Sequence, residues 1–414
     1  MRFLRAFLDK QARHFEKGGR FSKLFPLWEA IDTFLYTPAS VTRSAPHVRD
    51  AADLKRAMTV VVVGLVPCML MAMLNTGYQA HLAIAAGAEP LANWRTEVFR
   101  ALGFEFSPRD MLACFVHGAL YFLPVYIVTI AVGGAFETLF AMVRRHEINE
   151  GFLVTSALFP LTLPATIPLW QVAVGIAFGV VFGKEVFGGT GRNIWNPALV
   201  ARIFLYFAYP VELSGDAVWI AAKTAPDVYS GATWLAVARD HGLAGLASGV
   251  PGLSNGALSF SGAFWGWIPG SMGETSKAGC IFGAAVLLLT GIGSWRIMAG
   301  GLLGSFLAVG AFNLAAPSAN PMLAMPFYWH WVLGGFAFAI VFMATDPVSA
   351  PYTDAGRWVY GILIGAVGMV IRVLNPAFPE SWMLAIIFMN IFSSLIDYFV
   401  VRSNLKRRLA RHAA

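Results

Sequence analysis

The chain has 414 residues, of which 57% are hydrophobic and 13% charged, with a mean hydropathy of +0.63. Soluble domains carry about 25% charged residues, so this composition excludes a water-soluble globular chain and points to a large membrane-embedded core. The formal net charge of +7 reads as Lys/Arg anchoring on the cytoplasmic side of a membrane lipid bilayer, and no nucleic-acid partner is expected.

Taken in chain order, the first 56 residues hold 11 Lys and Arg and no long apolar run, so no cleavable signal peptide is expected in them. Phe3, Leu4, Phe7 and Leu8 make this basic segment amphipathic in places, which suits a position on the cytoplasmic membrane face or on partner subunits. Ten apolar runs follow. They are Met58–Leu74, Met111–Val143, Phe152–Leu163, Ile167–Phe182, Pro197–Tyr209, Ala278–Ile292, Ile297–Ala316, Phe327–Phe342, Trp358–Leu374 and Trp382–Val401. Several fall short of the roughly 20 residues a bilayer span needs. Short or Gly/Pro-broken segments are tolerated where other protein covers their backbone. The fold class is therefore an all-α polytopic membrane protein of about ten transmembrane helices. Cys68, Cys114 and Cys280 lie far apart in apolar runs and form no CxxC pair. They build neither a zinc site nor an iron–sulfur cluster, and read as small buried hydrophobes.

Orientation follows the Lys/Arg bias. With the N-terminus inside, the inside segments hold 22 Lys and Arg and the outside loops 6, while Arg202 and Arg372 fall within apolar runs. Both termini are then cytoplasmic and the longest loop is periplasmic. This divides the chain into a basic cytoplasmic segment (1–56), a first five-helix half (57–210), a periplasmic loop (211–277), a second five-helix half (278–402) and a cytoplasmic tail (403–414). An odd number of helices per half puts the second half in the opposite sense, as in an inverted repeat. Asn196-Pro197-Ala198 before the fifth run is echoed by Asn375-Pro376-Ala377 before the tenth.

The 211–277 loop contains Asp227-Val228-Tyr229-Ser230-Gly231-Ala232-Thr233. As plain chemistry this is an accessible threonine in an ST-turn or at a helix N-cap. The pattern Asp-x-x-Ser-Gly-Ala-Thr also resembles the acceptor motif of covalent flavinylation, in which a periplasmic transferase joins FMN through its phosphate to the threonine oxygen. Five further segments extend the likeness to nearly the whole chain. They are Gly133-Gly134-Ala135-Phe136-Glu137, Lys184-Glu185-Val186-Phe187-Gly188-Gly189-Thr190-Gly191, Asn196-Pro197-Ala198-Leu199, Gly273-Glu274-Thr275-Ser276 and Ala344-Thr345-Asp346-Pro347. The chain resembles the B subunits of sodium-translocating NADH:quinone oxidoreductases and, less closely, the D subunits of the Rnf electron-transport complexes.

The resemblance implies a redox subunit of a bacterial inner membrane. Thr233 is expected to carry covalent FMN, with Asp227, Ser230, Gly231 and Ala232 as its motif. A non-covalent riboflavin is implied, and it is assigned to the turn holding Gly189, Thr190 and Asn193. That turn is not GxGxxG and follows no strand, so a Rossmann reading fails; its plain reading is a tight connector. A ubiquinone site is implied near Gly133 and Gly134 with Glu137 one turn on, where paired glycines equally serve helix packing. The implied partners are the A, C, D, E and F subunits of a six-subunit complex, one of which must oxidise NADH. Sodium is the implied cargo. Asp346 and Asp397 lie in or beside apolar runs, where a carboxylate is costly and commonly functional; they suit a sodium path, or else pair with Arg or cap a helix end. Phe338 and Phe342, at i and i+4, form either an apolar gate or ordinary packing. A secondary transporter or channel is the alternative consistent with helix number, the possible repeat and the intramembrane acids.

Overall fold

The computed structural model describes residues 2–16, 18–36, 54–145, 148, 151–224, 229–248, 258–315, 320–375 and 378–413. Two surface helices come first, α1 (Arg2–Phe15) and α2 (Phe25–Leu35), tied by a hydrogen bond from Arg5 Nη1 to Asp32 Oδ1 at 3.0 Å. The first half then contains α3 (Leu54–Ala85), α4 (Trp94–Ala101), α5 (Met111–Arg144), α6 (Gly151–Leu161), α7 (Leu169–Gly183) and α8 (Pro197–Ala208). The connection to the second half includes α9 (Pro210–Leu213), α10 (Trp234–Ser248) and α11 (Phe260–Trp265). The second half contains α12 (Lys277–Leu289), α13 (Trp295–Ala315), α14 (Phe327–Val332), α15 (Phe336–Phe338), α16 (Asp354–Leu374) and α17 (Trp382–Ala413). Two short strands, β1 (Glu89–Pro90) and β2 (Ala222–Lys223), pair antiparallel and pin the connection to the end of α3.

Local chemistry sets the helix starts. Asp110 accepts from the backbone N–H groups of Leu112 and Ala113 at α5, Asn196 from Ala198 at α8, Ser276 from Gly279 at α12 and Thr353 from Gly356 at α16. Each satisfies N–H groups that the first helical turn leaves unpaired. Among the described residues six helices are long and apolar enough to cross a membrane: those within α3, α5, α13, α16 and α17, and α7 taken together with the helical turn that follows it to Phe187. Three apolar helices are shorter: α6, α8 and α12. The chain is thus an all-helical, multi-pass membrane protein.

Two elements differ from the sequence expectation. The first apolar run ends at Leu74, but α3 continues to Ala85. Its last turns carry Asn75, Thr76, Gln79 and His81, all buried. Asn75 Nδ2 donates to Ile268 O at 2.8 Å, and Gln79 Nε2 donates to Asn75 Oδ1 at 3.1 Å. Polarity there marks contact with protein, not an exit into water. The eighth run, expected as one helix over Phe327–Phe342, is divided. After α14 the chain turns at Gly334, whose φ is +68°, and resumes as α15 followed by a π-helical turn over Ala339–Met343. Positive φ is cheap only for glycine. The carbonyls freed by the break find cationic donors. Lys277 Nζ donates to Gly334 O at 3.0 Å, and Arg372 Nη1 donates to His330 O at 2.7 Å and Leu333 O at 3.2 Å.

One hydrophobic core contains Leu65, Phe159, Val172, Leu199, Phe336 and Trp382, so both halves contribute to it. Helix crossings within it are close at glycine. A Cβ on Gly300 would lie 3.0 Å from Trp358 O, and one on Gly361 would lie 3.1 Å from Ile297 Cα. Small residues let membrane helices approach this closely.

Candidate functional sites

The inner cleft forms where the N-terminal ends of α3 and α6 meet the C-terminal ends of α7 and α12. Its volume is about 750 Å³, and its lining includes Lys184, Thr190, Asn193, Phe342 and Asp346. The turn that supplies Thr190 and Asn193 contains Gly188, Gly189 and Gly191 at φ +113°, +96° and +87°. Only glycine adopts three such conformations so close together without strain. Asn193 Nδ2 donates to Trp195 O at 2.8 Å, which fixes the end of the turn.

Behind this turn lies a buried charge cluster. Lys184 and Glu137 form an ion pair, each side chain 5% exposed. Lys184 Nζ also donates to Thr190 Oγ1 at 3.2 Å. Arg144 donates to Glu185 twice, from Nη1 to Oε2 at 3.0 Å and from Nη2 to the backbone O at 2.7 Å. Lys184 therefore joins two sets of residues that lie apart in the sequence, the glycine-rich turn and the Gly133–Glu137 stretch. Sequence reasoning did not single it out. The available signal was a lysine at the junction of an apolar run and a glycine turn.

The paired glycines have different surroundings. A Cβ on Gly133 would lie 3.0 Å from Ile176 Cγ1 and closer still to the Phe152 ring, whereas one on Gly134 meets only Phe152 Cε1 at 3.8 Å. Gly133 is a packing contact between α5 and its neighbours; Gly134 is half-buried and has room. Of the other candidates, Asp346 lines the inner cleft and accepts from Ser349 Oγ at 2.8 Å and Val348 N at 3.3 Å. Asp397 lies away from it and accepts from Tyr352 N at 2.7 Å, Thr353 N at 3.1 Å and Thr353 Oγ1. The Phe338 and Phe342 rings are buried with centroids 5.2 Å apart, and only Phe342 reaches the inner cleft.

Thr233 stands at the opposite end of the molecule between two further clefts. One, of about 360 Å³, is lined by residues that include Glu274, Lys277, Gly334 and Glu380; the other, of about 860 Å³, by residues that include Asp216, Trp219, Arg239 and Glu380. Thr233 lines both. Its Oγ1 accepts from Ala236 N at 3.2 Å, so it caps α10, in keeping with the plain chemistry of its sequence. Ser230 Oγ accepts from Ala232 N at 3.3 Å. Gly231 is buried against the backbone oxygen of Asp216, where no side chain fits. Asp227 lies outside the described residues. Arg239, beside Thr233 in the wider cleft, hydrogen-bonds both Asp240 oxygens and holds that carboxyl below its usual range.

The model of the NQR2, RnfD, RnfE family matches residues 41–406. The chain belongs to this family. The B subunit of the Na(+)-translocating NADH-quinone reductase of Azotobacter vinelandii is 57% identical over 412 residues, covering 99% of each chain. The protein of the same name from Pseudomonas aeruginosa PAO1 is 56% identical, also with 99% of each chain covered. That of Chromohalobacter salexigens is 54% identical, covering 99% of this chain and 97% of its own. Family members of this name thus match the present chain through all three clefts and the helices between them.

Proposed function

We propose that this chain is the flavin-bearing B subunit of a sodium-pumping NADH:quinone reductase in a bacterial inner membrane. Electrons reach FMN joined through its phosphate to Thr233 on the periplasmic side. They pass to riboflavin in the inner cleft beside Gly189, Thr190 and Asn193. They leave to ubiquinone near Gly133, Gly134 and Glu137 on the cytoplasmic side, coupled to sodium movement past Asp346. NADH is oxidised on another of the five partner subunits. All ten apolar elements cross or enter the bilayer, in two inverted halves, with both termini cytoplasmic; residues 211–277 are the periplasmic connection.

The observation that carries this reading is the pairing of Thr233, between two clefts at one end of the core, with the cleft lined by Thr190 and Asn193 at the other. The charges at the two ends suit the two cofactors. Among the described residues Lys184 is the one cation lining the inner cleft, it is already paired with Glu137, and Asp346 lines the same space. Such a lining repels a phosphate and suits a flavin that has none. At Thr233 the N-terminal turn of α10 favours a phosphate diester. The flavins, when bound, supply the electron chemistry, while the chain supplies position, countercharge and exclusion of water.

The test is fluorescence of the denatured subunit on a gel. The native chain is expected to show flavin fluorescence and Thr233→Ala to show none. Fluorescence persisting in Thr233→Ala would move the attachment elsewhere, and none in the native chain would favour a transporter without covalent flavin.

A further inference from the structure

The three cysteines are far apart in the chain, but the fold brings two of them together. Cys68 lies on α3 and Cys280 on α12, so each half supplies one. Both are free thiols, 0% exposed, and they are hydrogen-bonded to each other. The backbones come close here because α12 presents a glycine. A Cβ on Gly279, the residue before Cys280, would lie 3.2 Å from Cys68 Sγ and 3.5 Å from Cys68 N. About one turn along, a Cβ on Gly64 would lie 3.5 Å from Gly283 Cα. A disulfide requires Cα atoms within about 7 Å of each other, and helices that cross at facing glycines come that near. Cys114 stands apart on α5, where its thiol lies 3.3 Å from His81 Nδ1 and donates to Ser107 O at 3.6 Å.

The charge beside the pair favours reaction. Lys277 lies three residues before Cys280 on α12, and its ammonium charge acts on both sulfurs. A neighbouring cation favours the thiolate, which is the reactive form. Lys277 also lines the narrower cleft at Thr233, so the pair lies one helical turn beneath that lining.

We infer that Cys68 and Cys280 form a redox modification site, at which hydrogen peroxide joins α3 to α12 through a disulfide and so locks the two halves of the chain together. One thiol is oxidised to a sulfenic acid, and the peroxide leaves as water. The second thiol attacks that sulfur and displaces a second water. In all, two thiols lose two electrons and two protons, and the peroxide takes up both. The position gives the bond its effect. α3 lines the inner cleft with Met58 and Val61 and, through Asn75, holds Ile268 and Thr275 of the cleft at Thr233. α12 lines the same two clefts with Leu287 and Lys277. Between these contacts the ring of Phe342 packs on the crossing, where a Cβ on Gly283 would meet its Cε1 at 2.7 Å. A transporter opens its two ends in turn by moving one half against the other, and a bond at mid-span forbids α3 and α12 to slide. The lock, though not the bond itself, rests on the sodium-pumping reading above.

The experiment treats the purified complex with hydrogen peroxide, alkylates the remaining thiols and maps the peptides of this subunit by mass spectrometry, with quinone reductase turnover measured on the same samples. A peptide linking Cys68 to Cys280 is expected, and none linking Cys114. Turnover is expected to fall in proportion to the linked fraction. Cys68→Ala and Cys280→Ala are each expected to form no link and to keep the turnover that the native complex loses. Absence of the linked peptide in the native complex overturns the whole inference, and this measurement decides alone should neither variant assemble. A linked native complex with undiminished turnover, or equal losses in native and variant complexes, overturns the lock. A native complex whose quinone reduction needs no sodium would remove the pumping reading and the lock with it, and leave the bond.

Discussion

Asp346 and Asp397 differ in what remains of each carboxylate. An ionised carboxylate offers about four acceptor positions. Asp397 fills three with donors from Tyr352 and Thr353 and clamps the start of α16. Asp346 fills two within its own turn and turns towards the inner cleft, so it retains oxygen for a hard cation. Asp346→Asn is expected to raise the sodium concentration needed for half-maximal quinone reduction, in complexes with full subunit and flavin content. Asp397→Asn is expected to keep the sodium dependence and to lower stability by about 1–3 kcal/mol through lost charge-assisted bonds. A sodium titration of both variants checks this, and an unchanged curve for Asp346→Asn would take it off the ion path. The sequence displayed both acids as misfits in apolar surroundings. It did not display the partners of Asp397, because Thr353 and Asp397 are 44 positions apart and nothing local links them.

At the scale of elements, packing separates two neighbours that look alike in sequence. Gly133→Val would drive a branched side chain into Phe152 and Ile176, and overpacking of this kind typically costs about 1–3 kcal/mol. Gly134→Val has space on a half-buried face. Gly133→Val is therefore expected to reduce the yield and thermal stability of the complex. Gly134→Val is expected to assemble with normal flavin content and to reduce quinone more slowly. Melting curves and quinone kinetics distinguish the two; normal kinetics in Gly134→Val would place ubiquinone elsewhere. The apolar runs made most helices legible, since burial in lipid or protein demands continuous hydrophobicity. The break at Gly334 was hidden because both sides of it are equally apolar, and the cations that serve its carbonyls come from Lys277 and Arg372, far off in the chain. The extra turns of α3 were hidden for the converse reason: Asn75, Gln79 and His81 look like the edge of a span although protein buries them.

At the scale of the molecule, the two halves share one core, and the described part of the 211–277 connection packs into the same body. Trp234, Leu235 and Val237 cluster with Met322, Val332 and Leu333, while Trp219 and Ile220 pack beside Ala83 at the end of α3. The connection is thus a cap on the helices, not a free domain. The Lys/Arg bias assigns it a side of the membrane; its docking was not legible, because the contacts are scattered small groups with no period. In otherwise cysteine-free complexes, a cysteine at Ser214 is expected to react with an impermeant maleimide on intact cells, and one at Ser403 only after lysis. The reverse pattern would invert the proposed orientation.

The span of α3 fixes how far apart the two ends work. Met58 lines the inner cleft, and Asn75 holds Ile268 and Thr275 of the cleft at Thr233. The seventeen residue steps from one to the other cover about 26 Å of helix axis, close to the roughly 30 Å of a bilayer's hydrocarbon core. In the proposed arrangement a charge carried from one cleft to the other would cross most of the transmembrane voltage, at about 2 kcal/mol per elementary charge per 100 mV. In the proposed orientation an electron travels towards the negative interior, which polarises the membrane in the same sense as a sodium ion leaving the cell. The wiring of this one chain would then contribute to the voltage on its own account, and the respiratory current through it would slow as that voltage rises.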